Sequence, residues 1–190
     1  EVLKNVKRSN ISLEELGSRG SNDQEDMDSY TELILALPGD SIETHTKSLK
    51  DMVATGVGTI KIYQMVMLPQ SEMVEPENRK KYGMHTRFRL TPRSFGKYSL
   101  WGKTFLGMEC EEVCVENNTL SFEDYLECRE LDLTIEIIYN GRLFNELRGL
   151  CEQFKLSWFD VILAFHERRR TSIEGLKNLY DSFRRESIEG

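Results

Sequence analysis

The sequence predicts an α/β chain, a parallel-strand unit in its first half followed by a mostly helical C-terminal region. Three observations carry that expectation. Two short, nearly continuous apolar runs, at 30–37 and 59–67, flank a segment whose apolar residues recur at helical spacing. Strand, turn, helix, strand is the order that yields parallel sheets. The second half holds a series of helix-start signatures: Ser121 with Asp124, Ser157 with Asp160, and Thr171 with Glu174. Composition agrees: 39% of the 190 residues are apolar and 30% charged, with only four prolines. That is enough chain for one good core, and it excludes collagen, low-complexity disorder and disulfide-dense miniproteins.

In chain order, Val2, Leu3 and Val6 form an apolar stripe at the end of a helix over 1–7. Ser12 with Glu15 then caps a short second helix. The Gly-, Ser-, Asn- and Asp-rich stretch 17–28 reads as a loop. The run 30–37 is a strand of the fully buried type with one acid, Glu32, near its start. Leu37-Pro-Gly-Asp40 makes a tight turn, and Asp40 with Glu43 caps a helix reaching about Thr55 on the stripe Leu49, Met52, Val53. Gly56 and Gly58 end it, and a second buried strand follows over 59–67. Residues 75–80 are expected to be helical and 86–90 to be an edge strand. Pro92, Gly96 and Gly102 make the next stretch irregular, and from Cys110 onward the pattern reads as helical throughout, with Asn140-Gly141 separating two helices. Two parallel strands are not a stable sheet by themselves, so further strands must come from elsewhere.

Charge and cysteine content narrow the function. Residues 1–100 balance to zero, whereas 101–190 carry the whole net charge of −7. That sign disfavours a nucleic-acid partner. The longest apolar runs fall far short of the roughly 20 residues a spanning helix needs, so no membrane span is expected. No basic-then-apolar leader opens the chain and its first residue is Glu1, so it is read as a cytoplasmic fragment of a longer protein. Cys110 and Cys114, four apart, would share a helix face, but no matching pair or nearby His follows. They read as ordinary thiols and no metal site is assigned.

Three features invite a chemical role. A carboxylate inside an apolar strand is costly to bury unless paired, so Glu32 either lies exposed at the sheet's edge or faces inward to accept hydroxyl hydrogen bonds from a ligand such as a ribose. The turn after the first strand sits at the carboxyl end of a parallel sheet, where ligands collect, although a turn is required there in any case. Residues 81–97 hold Lys81, Arg87, Arg89, Arg93 and Lys97 with no acid among them, interleaved with aromatic side chains. This run is either a solvated face answered by the acidic stretch 111–136 or the seat of an anionic ligand. Arg168-Arg169-Arg170 is expected to close a helix against its dipole.

Three stretches resemble the second half of a radical SAM domain: Glu-Val-Leu-Lys-Asn-Val-Lys-Arg at 1–8, Tyr-Thr-Glu-Leu-Ile-Leu-Ala-Leu-Pro-Gly-Asp at 30–40, and Ile-Tyr-Gln-Met-Val-Met-Leu-Pro at 62–69. Their order and spacing match the fourth, fifth and sixth strand regions of that partial barrel. The stretches Arg-Phe-Arg-Leu-Thr-Pro-Arg-Ser-Phe-Gly at 87–96 and Leu-Ser-Phe-Glu-Asp-Tyr at 120–125 are similar to the cobalamin-binding branch, which includes anaerobic magnesium-protoporphyrin ester cyclases. The resemblance implies a half (β/α) barrel over 1–100 and a helical region over 101–190. It implies S-adenosylmethionine, a 4Fe-4S cluster and cobalamin as cofactors, and a small-molecule substrate. A carboxylate on that substrate is, beside the acidic stretch 111–136, the other candidate to answer the basic run at 81–97. By position, Arg8 would meet the carboxylate of S-adenosylmethionine, Glu32 would hold its ribose hydroxyls, and Ile34, Tyr63 and Met65 would contact adenine. The family's Cys-x3-Cys-x2-Cys motif is absent, since residue 117 is Asn, so cluster ligands are expected upstream and this piece alone is expected to be inactive. The alternative is a non-catalytic module whose helical tail docks a partner. As an isolated half-barrel, the chain is also expected to self-associate.

Overall fold

Residues 29–91 and 93–189 are described by a computed structural model of the chain, so the expected helices at 1–7 and after Ser12, the loop at 17–28 and Arg8 lie outside the described residues. Strand β1 (Tyr30–Leu35) pairs in parallel with β2 (Thr59–Gln64), and α1 (Ile42–Thr55) makes the crossover between them. The start of α1 differs in detail from the expectation. Ser41 is the cap: its hydroxyl accepts the Thr44 N–H at 3.3 Å, and the Thr44 hydroxyl accepts the Ser41 N–H at 2.8 Å. Gly56 ends the helix in the left-handed conformation, φ 71°, which suits a residue without a side chain.

A 3₁₀ turn (Glu72–Val74) and the short helix α2 (Pro76–Tyr82) lead into β3 (His85–Leu90). Its partner is β6 (Cys110–Glu116), antiparallel, with Arg87 opposite Val113 and Arg89 opposite Glu111. Between them, β4 (Gly96–Leu100) and β5 (Lys103–Gly107) form a hairpin. Two expectations are corrected here. The stretch after Pro92 is an ordered hairpin, and 110–116 is a strand rather than the first helix of the tail. Val113 and Val115 favour extended backbone, and the partner strand lies some twenty residues earlier, beyond the reach of local periodicity. In a strand, Cys110 and Cys114 stand about 13 Å apart along the chain, too far to share one ion at Zn–S distances of about 2.3 Å. Cys110 is exposed and Cys114 buried. From Met65 the backbone passes from β1 to β6: Met65 N–H still donates to Leu35 C=O, but Cys114 N–H donates to Met65 C=O at 2.9 Å and Met67 N–H to Glu112 C=O at 2.8 Å.

The tail comprises α3 (Phe122–Thr134), a π-helical segment (Ile135–Asn140), α4 (Asn145–Gln153), α5 (Trp158–Glu167) and α6 (Glu174–Glu189). Ser121 and Ser157 cap α3 and α5 as expected, each accepting the N–H three residues on. Thr171 does not cap α6; its hydroxyl turns back to the Arg168 carbonyl. Two apolar clusters hold the assembly, and both draw on either side of position 100. The first joins Leu49 and Val53 to Ile60, Leu131, Ile135 and Ile162. The second joins Leu35, Met65 and Met67 to Val113, Leu120 and Leu126.

Polar contacts fasten α6 and the end of α5 onto α3. Glu130, 1% exposed, accepts hydrogen bonds from Arg169 (2.5 Å), Arg170 (2.6 Å) and Arg184 (2.8 Å). Arg169 and Arg170 thus answer carboxylates on α3, and the dipole role expected for the triplet falls at most to Arg168, at the end of α5. Thr134 Oγ1 lies 2.8 Å from both His166 Nδ1 and Tyr180 Oη.

Burial, reinforced by the Arg169 charge, pushes His166 down to about 4. A base depressed below its unfolded value contributes stability that is complete above about pH 6.5 and is lost as pH falls toward 4. The loss should reach about 3 kcal/mol below that range. His166→Gln retains a side chain able to meet Thr134 but not the titration, so its denaturant stability should lack this acid-side slope. Parallel slopes in the two proteins would refute the assignment.

Candidate functional site

Side chains alternate across a strand, so the parallel pair has two distinct faces. Leu33, Leu35, Ile60 and Ile62 turn toward the clusters beneath α1 and the tail. Tyr30, Glu32 and Ile34 of β1 share the other face with Lys61 and Tyr63 of β2, Glu32 in register with Lys61 and Ile34 with Tyr63. Glu32, Lys61 and Tyr63 are exposed, and Ile34 is half-buried at the border of the second cluster. The continuous apolar run had suggested strands buried on both sides; among the described residues only one side is covered.

The site residues expected from the sequence therefore separate. Glu32, Ile34 and Tyr63 lie together on the open face. Met65 does not join them: it is buried in the second cluster, its N–H bonded to Leu35 C=O at 3.0 Å and its C=O occupied by Cys114. Lys61 Nζ stands 4.1 Å from the centre of the Tyr30 ring, a cation–π contact. Glu32 makes no hydrogen bond or ion pair to a described residue.

At the carboxyl end of β1 the chain turns sharply. Ala36, fully buried, adopts φ 73°, a conformation costly for a residue with a side chain. Its N–H donates to Asp40 Oδ2 at 3.1 Å, and Asn117 Nδ2 donates to the Ala36 and Leu37 carbonyls at 3.3 and 3.1 Å. The other end of the Asn117 amide accepts the N–H groups of Thr119 and Leu120. Burial raises the Asp40 carboxyl above its ordinary value, although His45, Thr44 and two backbone N–H groups pull the other way.

Two polar groupings, one near this end and one near the amino end of β2, were not singled out from the sequence. His45 Nε2 lies 2.7 Å from Asp132 Oδ1, both residues buried. Burial pushes His45 down, but the Asp132 hydrogen bond and charge, with Asp40, leave it above its ordinary value. Asp132 Oδ2 is the one buried side-chain polar atom among the described residues without a hydrogen-bond partner. Asn140 brackets the outer edge of β2, accepting the Ile60 N–H at 2.9 Å and donating to the Ile60 carbonyl at 2.8 Å.

The basic run resolves in part. Arg89 pairs with Glu111 through Nη2 at 2.5 Å and Nε at 2.6 Å, and its third donor meets Gln64. At Arg89, then, the acidic stretch does answer the charge. His85 lies 3.9 Å from Glu116 on the same sheet.

No protein-family model matches the chain. Two curated proteins are similar to it. One is the 2-(S-pantetheinyl)-carbapenam-3-carboxylate methyltransferase of Streptantibioticus cattleyicolor, 26% identical over 145 residues. The other is the cobalamin-dependent radical SAM methyltransferase TokK of Streptomyces tokunonensis, 25% identical over 146 residues. Each alignment covers 74% of this chain and 20% of the relative, so the chain spans about a fifth of the length of the curated relatives it matches. Distant relatives of the chain are therefore enzymes, and methyltransferases, with a radical SAM-related member among them. No helix among the described residues is long and apolar enough to cross a membrane.

Asn117→Ala removes donors and acceptors serving four backbone groups around the turn after β1. The expected loss is about 2–3 kcal/mol in denaturant unfolding, with faster amide exchange at Leu120. Arg89→Glu should destabilise the fold by opposing Glu111, and added salt should shrink the difference from the parent. A variant whose melting point equals the parent's at low salt would show the Arg89–Glu111 pair to be dispensable.

Proposed function

We propose that this chain is the C-terminal part of the catalytic unit of a cobalamin-dependent radical SAM methyltransferase, and that the open face of the β1–β2 sheet receives the adenosyl end of S-adenosylmethionine. The observation that carries this reading is the convergence of Glu32, Ile34 and Tyr63 on one uncovered face, with the Glu32 carboxylate engaged by no described residue. Among the described residues the outer edge of β1 has no strand partner, whereas that of β2 is met by Asn140 and, just beyond its end, by β6. A sheet open on the β1 side alone suits continuation into a partial barrel by earlier strands.

The residues fit the group. A carboxylate on an open face can accept both hydroxyls of a ribose, and the neighbouring Ile34 and Tyr63 offer an apolar platform for a purine. Met65 supports that platform from within the core. Arg8, outside the described residues, is proposed to meet the amino-acid carboxylate, for which a guanidinium fork is suited. When bound, S-adenosylmethionine, a reduced 4Fe-4S cluster with ligands upstream, and cobalamin supply the radical and methyl-transfer chemistry; the chain positions the first of these. One relative's name gives a carbapenam carboxylate as its substrate, and a small carboxylate-bearing molecule is the substrate class carried over here. In the alternative reading the helical tail docks a partner, but α6 is seated on α3 of its own chain through Arg184 and Tyr180, so much of what it would offer is already engaged.

In the full-length enzyme, Glu32→Ala should weaken S-adenosylmethionine binding by about 1–3 kcal/mol, the cost of leaving ligand hydroxyls unpaired. Because Glu32 is exposed and unpaired, the melting temperature should hardly change. Unaltered affinity by calorimetric titration would remove the ribose role.

A further inference from the structure

A cleft of about 160 Å³ lies between the β3–β6 sheet, α3 and the end of α6, and it is reached by Gln64 at the end of β2 but by none of Glu32, Ile34 and Tyr63. Its floor and one wall are apolar, from Val113, Val115 and Phe183, while Arg87, Arg89 and Arg129 bring three guanidiniums to its rim. The placement follows from periodicity. Arg87 and Arg89 are two apart on β3 and share a face. Tyr125 and Arg129 are four apart on α3 and share another.

The three arginines are not equivalent. Arg89 is neutralised by Glu111, as described above. Arg87 stacks over the Phe122 ring at 4.1 Å and donates to the Ile188 carbonyl at 2.5 Å. Arg129 lies over the Phe183 ring at 5.0 Å. Neither Arg87 nor Arg129 meets a carboxylate within ion-pair distance among the described residues, in contrast to the arginines gathered on Glu130. Aromatic stacking fixes a guanidinium plane while leaving edge N–H donors to point elsewhere. Tyr125, 5% exposed, stacks on Phe122 and lines the same cleft, and its hydroxyl has no hydrogen-bond partner among the described residues. The charges of Arg129 and Arg89 both act on that phenol, although burial dominates and raises it.

We propose that this cleft binds the carboxylate of a small apolar acid, with Arg129, Arg87 and the Tyr125 hydroxyl taking the anion and Val113, Val115 and Phe183 its apolar body. The size agrees, since a cavity of roughly 150 Å³ holds one benzene-sized ring. The charge agrees as well. Three guanidiniums against Glu111 and Glu186 leave one positive charge, which matches a monoanion better than a phosphate dianion. The apolar floor strengthens the pairing by keeping water from the ion. The inference stands on the cleft alone and does not rest on the handling of S-adenosylmethionine.

The test is calorimetric titration of the full-length protein with benzoate, alongside benzyl alcohol and inorganic phosphate. Benzoate should bind and the alcohol should bind at least tenfold more weakly. Arg129→Gln should weaken benzoate about ten- to a hundredfold, the range for a lost charge-assisted hydrogen bond, with Arg129→Lys in between. If Arg129→Gln does not fold, Tyr125→Phe, which keeps the ring and removes only the donor, carries the test with a several-fold loss. S-adenosylmethionine affinity should be the same in all these variants, which separates this site from the one on the open face. The proposal is overturned if benzoate does not bind, if the alcohol binds equally well, if the variants bind benzoate like the parent, or if phosphate binds more tightly than benzoate.

Discussion

Backbone hydrogen bonds left over by a two-stranded parallel sheet are the constraint around which this molecule is arranged. Such a sheet has too few strands to satisfy its own edges, and unpaired buried N–H and C=O groups cost about as much as the hydrogen bonds they forgo. Two asparagines from the second half of the chain solve the problem locally. Asn140 presents its amide to both backbone groups of Ile60, as a neighbouring strand would. Asn117 serves the carbonyls of Ala36 and Leu37 where β1 ends and the chain must turn. The π-helical segment before Gly141 delivers Asn140, and the short bridge between Asn117 and Leu120 sets Asn117. The tail is thus a structural complement of the sheet, and the two apolar clusters that span the chain follow from that fit.

Within the tail, α3 is the common surface. Its residues face α1 through the His45–Asp132 pair, β6 through the second cluster, and α6 through Glu130 and Thr134. Removing a carboxylate from water is expensive, and Glu130 is tolerated because three guanidiniums surround it. Burial pushes that carboxyl up, but the hydrogen bonds from Arg184, Arg169 and Arg170 more than offset the effect and hold it below its ordinary value. The pairing is therefore worth more above the ordinary carboxylate range than below it, the opposite sense to His45, whose raised value favours lower pH.

How much was legible in advance follows from the range of each signal. Elements β1, α1 and β2 are marked by local periodicity and by turn residues beside them, and the caps at Ser121 and Ser157 are signatures three residues wide. The β6 strand reads as helix because its pairing with β3 is non-local, and the hairpin β4–β5 reads as irregular because Pro92, Gly96 and Gly102 look like breaks; Gly96 instead faces Gly107 across the ladder, where the Tyr98 ring lies against both. Neither asparagine could be singled out, since a side-chain amide that substitutes for a strand has no period. Of the site, the open face brings together Glu32, Ile34 and Tyr63; alternation alone would add Met65, which has the parity of Tyr63, but β6 meets the chain at that point and Met65 is buried in the second cluster. The unpartnered oxygen of Asp132 had no sequence signal at all, because its partner His45 is 87 residues away.

The open face carries its own internal logic. A sheet surface bearing Tyr30, Ile34 and Tyr63, beside an edge with no strand partner among the described residues, would pair with another chain unless something occupies or discourages it. Glu32 and Lys61, opposite each other in register, put charge in the middle of that surface. They do not form an ion pair with each other. Lys61 instead leans over the Tyr30 ring, which leaves the Glu32 carboxylate without a cation among the described residues. Had the two side chains closed on one another, the face would still be charged and still resist association, but the carboxylate would have no capacity left for a ligand. Guarding the surface requires only that both charges be present. Keeping them apart is a further property of this arrangement, and it is the one that an acceptor for ligand hydroxyls requires.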